Sequence, residues 1–83
     1  METYIDIFFN TDGEKASIIE KKLKDMGLKS TIGEHDFVYD WGKIVEPSEV
    51  SNFVDKIQFN LKGTGAILKF KTIRWFIKSI GTI

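Results

Sequence analysis

The sequence predicts one α+β domain: an antiparallel sheet with two helices on one of its faces. Three observations carry that expectation. Short alternating apolar runs recur at residues 3–9, 35–41 and 66–71, the period of half-buried strands. Two stretches between them place apolar residues at helical spacing, the clearest being Val50, Phe53, Val54, Ile57 and Leu61. The chain has 83 residues, enough for one small core and no more.

The elements follow in order. In "TYIDIFF" Ile5, Ile7 and Phe9 share one face and Tyr4, Asp6 and Phe8 the other, a first strand. Thr11 stands three residues before Glu14, the spacing of a capping box, so a helix is expected to start there. Ala16, Ile19, Leu23 and Met26 form its apolar stripe, and Gly27 suits its left-handed end. "LKSTI" at 28–32 is a short strand, Gly33 opens a turn, and "DFVYDW" returns as a longer strand. Pro47 fits the first turn of a second helix, which Gly63 and Gly65 close. "AILKFK" at 66–71 is a last strand with Ala66, Leu68 and Phe70 on one face. In 73–80, Ile73, Phe76, Ile77 and Ile80 predict a short amphipathic helix, with a strand extension as the alternative.

The order β-α-β-β-α-β resembles the ferredoxin-like arrangement, whose antiparallel strands run 4-1-3-2 with both helices on one face. The resemblance covers residues 3–71, with 72–83 as a C-terminal extension of a single domain spanning 1–83. It is one of shape and implies no activity, because many unrelated functions share this architecture.

Composition removes several functions. The chain has no cysteine, so disulfides, thiolate metal sites and thiol catalysis are excluded and a cytoplasmic setting is expected. No apolar run reaches the roughly 18 residues of a membrane span, and "METYIDIFF" lacks the basic start of a secretory leader. No membrane partner and no cofactor are expected. The net charge is zero but uneven. Residues 1–55 hold all twelve acids against six lysines, and residues 56–83 hold six basic residues and no acid. Folding is expected to bring the two halves together. Lys69 and Lys71 project from the strand face that also bears Asp6 and Glu2, where opposite charges on neighbouring strands stabilise by about 0.2–1 kcal/mol per pair.

The segment "EHDFVYDWGK" concentrates the polar chemistry. By alternation His35, Phe37, Tyr39 and Trp41 share one face, and Glu34, Asp36, Val38 and Asp40 the other. Burying unpaired aspartates is costly, so the aromatic face is expected to meet the helices and the acidic face to lie open. Glu34 and Asp36 are then the candidate ligands of a divalent cation. Asp36 and Asp40 are too far apart to share an ion, roughly 13 Å along a strand. "FFNTDGE" has Phe8 where a calcium loop needs its first ligand. His35 has no cysteine partner, and no serine stands in a nucleophile context. "KGTG" at 62–65 follows a helix, whereas phosphate loops precede one.

Two binding readings remain. Lys69, Lys71, Arg74 and Lys78 are the candidate phosphate contacts of a nucleic-acid surface. Against it, RNA-recognition motifs carry basic residues and glycines among their third-strand aromatics, and "HDFVYDW" carries acids. The favoured expectation is a small binding or assembly module without catalytic machinery. It would form a homo-oligomer through the C-terminal segment or the open sheet face, where Tyr4, Phe8, Val38 and Ile67 form an apolar patch that either the chain's own tail or a second chain must cover.

Overall fold

The computed structural model of the chain describes residues 1–74. Six elements occur among them: β1 (Glu2–Phe8), α1 (Ala16–Asp25), β2 (Lys29–Ser30), β3 (Phe37–Asp40), α2 (Pro47–Asn60) and β4 (Ile67–Ile73). The four strands form one antiparallel sheet in the order β2-β3-β1-β4. Ile5 and Ile7 of β1, Phe37 of β3, Ile19 and Leu23 of α1, Ile57 of α2, and Leu28 and Leu61 beyond the helix ends belong to a single buried cluster. Both helices therefore lie on the sheet face that carries Ile5 and Ile7. Among the described residues no element covers the opposite face, called the open face below.

β1 forms because Thr3, Ile5 and Ile7 alternate with side chains that tolerate water. It sits between β3 and β4, so its main chain is paired on both sides. α2 begins on Pro47, and the Glu49 carboxylate reaches back to accept the Glu46 N–H at 3.0 Å, one half of a capping box. Val45 is buried just before this cap. Gly27 ends the α1 segment with a positive φ of 96°, as its position predicts.

Three local expectations need correction. α1 starts at Ala16, after Lys15, and Thr11 does not cap it. Residues 10–13 instead close a turn: Asn10 Oδ1 accepts the Asp12 N–H at 2.9 Å and Asn10 O accepts the Gly13 N–H at 2.9 Å. The next N–H, of Glu14, goes to the Thr64 carbonyl at 2.9 Å, docking this turn on the one after α2. The third strand is shorter than its sequence pattern and starts at Phe37. β4 runs to Ile73, which pairs with Glu2, so Ile73 belongs to the strand and not to a helical stripe. The remainder of the helix expected over 73–80 lies outside the described residues.

A polar contact is built into the helix-facing side of the sheet. Thr3 is fully buried, and its Oγ1 accepts the Trp41 indole N–H at 2.8 Å and lies 2.9 Å from the Thr72 hydroxyl. Trp41 packs with Tyr39 and Phe53, with ring centroids 4.3–5.3 Å apart. Aromatic pairs prefer such tilted and edge-on contacts. This cluster ties β1, β3, β4 and α2 together at one end of the sheet.

Candidate functional site

The strand register lays out the open face row by row. β1 contributes Glu2, Tyr4, Asp6 and Phe8. Across from them, β4 sets Ile73, Lys71, Lys69 and Ile67 in the same order. On the other side β3 sets Asp40 against Glu2 and Val38 against Tyr4, and Lys29 of β2 stands beside Val38. The face thus has a carboxylate pair in its first row, rings and lysines in its middle, and an apolar pair, Phe8 with Ile67, in its last. Phe8 is 54% exposed and Ile67 63%. The Lys69 ammonium lies 5.6 Å from the Phe8 ring centroid, within cation–π range.

Two side-chain pairs order the centre of the face. The Tyr4 hydroxyl donates to Glu2 Oε1 at 2.5 Å. That hydrogen bond, then desolvation, then the charges of Glu2 and Asp40 raise the Tyr4 pKa above its ordinary value. His35 Nδ1 lies 3.0 Å from Asp6 Oδ1. A carboxylate only accepts, so the proton of this bond sits on Nδ1 and Nε2 is the second ring nitrogen. The imidazole also packs on Tyr4, with centroids 4.8 Å apart and planes inclined by 32°.

His35 is therefore on the open face, where alternation from Phe37 had placed it under the helices. The reason is a break in the ladder. Ile5 pairs with Phe37, yet its carbonyl also accepts the Asp36 N–H at 3.1 Å. Two residues thus stand opposite one, as in a β-bulge. Upstream of the bulge the alternation slips by one residue and the faces exchange. Phe37, Tyr39 and Trp41 lie downstream and meet the helix side as expected.

The same slip moves Asp36 off the open face. Its Oδ2 accepts the Ile7 N–H at 2.9 Å, and it lines a cleft of about 280 Å³ with Ile7, Phe9, Glu20 and Phe37. Glu34 is exposed in the loop before it. Among the described residues no three His, Cys, Asp or Glu side chains converge as a cation site would need. Lys69 and Lys71 occupy the open face as expected. Arg74 follows β4 and is exposed, and Lys78 lies outside the described residues. The pairing of His35 with Asp6 had no signal in the sequence, because it depends on the bulge.

No protein-family model, no curated protein and no solved structure matches this chain. No helix among the described residues is long and apolar enough to cross a membrane.

Proposed function

We propose that this protein is a small binding and assembly module of ferredoxin-like fold, without catalytic machinery, in which the open sheet face associates with a second copy. The fold assignment is supported by the strand order, which reads β4-β1-β3-β2 from the other edge, and by two helices sharing one core. The functional reading rests on one observation. Phe8 and Ile67 stand opposite each other on the open face and are both more than half exposed. Soluble monomers rarely leave neighbouring large apolar side chains bare. A non-enzymatic role fits the way His35 is held: Nδ1 is committed to Asp6 and one ring face to Tyr4. A cytoplasmic setting belongs to the same proposal and rests on the cysteine-free sequence.

Light scattering across a dilution series tests the association. The wild type is expected to be a concentration-dependent oligomer. The double variant Phe8→Glu, Ile67→Glu is expected to be a monomer with an unchanged far-ultraviolet spectrum. A wild type that stays monomeric at its highest soluble concentration defeats the reading.

One observation favours a second reading, nucleic-acid binding. The half-buried rings of Tyr4 and His35 and the exposed ring of Phe8 share the open face with Lys69 and Lys71, and rings beside cations are what single strands stack on. With Lys69, Lys71, Arg74 and Lys78 as phosphate contacts, affinity for an oligonucleotide would fall with salt at a slope of about −0.7 per phosphate neutralised. Absence of binding at low salt removes it.

A further inference from the structure

From Lys56 onward the sequence has no acid. Two of the six basic residues in that stretch, Lys69 and Lys71, stand on β4, an edge strand of the sheet among the described residues. The main-chain groups of β1 alternate between its two neighbours. Odd-numbered residues serve β3: Ile5 O accepts from Asp36 and the Ile7 N–H donates to the Asp36 carboxylate. Even-numbered residues of β1 therefore serve β4, through Ile67, Lys69, Lys71 and Ile73. The N–H and C=O groups of Leu68, Phe70 and Thr72 must then point away from β1. Among the described residues no strand pairs with them, so they form an edge ready for another strand.

The two sides of that edge differ sharply. On the helix side lies a cleft of about 370 Å³, lined by Gln58, Leu61, Lys62, Ala66, Leu68 and Phe70 together with the turn glycines. Its walls come from α2, the turn after it and β4, with none from β1 or α1, so it borders the outer edge of the strand. On the open side the edge carries Lys69 and Lys71.

We propose that an extended acidic peptide adds to the outer edge of β4 as a fifth strand. Its alternate apolar side chains enter the Leu61–Leu68–Phe70 cleft, and the intervening carboxylates meet Lys69 and Lys71. The alternation follows from the pleat. Partner residues beside Leu68 and Phe70 face the helix side, and those beside Lys69 and Lys71 face the open side. The charge follows from the absence of any acid on β4 and from Lys62 in the cleft wall. Edge lysines discourage pairing with a like-charged strand, so a second copy of β4, which would bring lysines to lysines, is a poor occupant. An oligonucleotide satisfies the lysines but supplies no alternate apolar groups for the cleft. This inference concerns the β4 edge, not the Phe8–Ile67 pair, so it and the assembly reading can fail separately.

The test is a titration of the full chain, followed by backbone amide shifts and hydrogen exchange, with a synthetic peptide of alternating valine and glutamate. A valine–lysine peptide and a thymidine oligonucleotide serve as comparison ligands. The expected result is slowed exchange at the Leu68, Phe70 and Thr72 amides with the glutamate peptide and none with the lysine peptide. The charge-reversed variant Lys69→Glu, Lys71→Glu is expected to exchange these preferences, which a merely unfolded variant would not do. Three outcomes of the titrations overturn the proposal: no protection of those three amides, equal binding of both peptides, or binding of the oligonucleotide alone. Protection that rises with protein concentration in the absence of peptide also overturns it and assigns the edge to a second copy.

Discussion

The Asp36 carboxylate accepts the main-chain N–H of Ile7 at 2.9 Å and so extends the β1–β3 ladder past Phe37, where β3 begins. A side chain takes the place of a strand because the bulge displaces the backbone before Phe37. Ile7 is a core residue, and its N–H loses its partner if the carboxylate is removed. Asp36→Ala is expected to cost about 1–2 kcal/mol, and Asp36→Asn, which keeps an acceptor, less. Urea denaturation of the two variants measures the difference. Equal stability of Asp36→Ala and wild type would mean that water replaces the carboxylate without loss.

Thr3 offers a second test of a buried polar contact. Thr3→Val keeps the shape but removes the acceptor of the half-buried Trp41 indole N–H, while the hydroxyl of the exposed Thr72 turns to water. The expected loss is about 1–3 kcal/mol. Thr72→Val breaks the same hydroxyl–hydroxyl contact from its exposed side, so the double variant should lose less than the sum of the singles. Additive losses in a denaturant series would show that the two hydroxyls act independently.

Long regular patterns were legible in the sequence, and contacts between distant segments were not. The alternation of β1 and the five-residue stripe of α2 each repeat often enough to outweigh local accidents, and both elements stand where the pattern put them. His35 was misplaced because alternation carries a face assignment only through an unbroken ladder, and a bulge is decided by tertiary pairing. Thr11 and Glu14 match a capping box, but the turn they belong to is claimed by Thr64 from the far end of α2. Nothing local announces that contact. Gly13 marks it, since a Cβ there would collide with the Thr64 carbonyl.

The rival helix starts can be compared directly by thermal unfolding. Thr11→Ala is expected to change stability by less than about 0.5 kcal/mol, as an ordinary surface substitution does. Glu49→Ala removes the acceptor of the Glu46 N–H and is expected to cost about 1 kcal/mol. Gly13→Ala must push the 10–13 turn off Thr64, with an expected loss of about 1–3 kcal/mol. A Thr11→Ala loss as large as that of Glu49→Ala would restore the capping box that the sequence pattern implies.

Tyr4 makes the open face sensitive to alkali. Its hydroxyl donates to Glu2, and the nearby carboxylates of Glu2 and Asp40 oppose a phenolate, so the folded protein holds the phenolic proton more tightly than the unfolded chain does. The sign follows from linkage. A group with a raised folded-state pKa contributes stability that is fully present below its unfolded value, about 10 for tyrosine. That contribution is lost as pH rises through the higher folded value. Stability should therefore fall above about pH 10 partly on account of this one hydroxyl. Tyr4 and Tyr39 are the only tyrosines in the chain, so a Tyr39→Phe background leaves Tyr4 as the sole phenol for an absorbance titration. In that background Glu2→Gln is expected to move the midpoint down, because it removes both the charged acceptor and its field. Asp40→Asn removes only the weakest of the causes and is expected to move it less. If Asp40→Asn gives the larger drop, the field across the β1–β3 pair, and not the hydrogen bond to Glu2, governs the phenol.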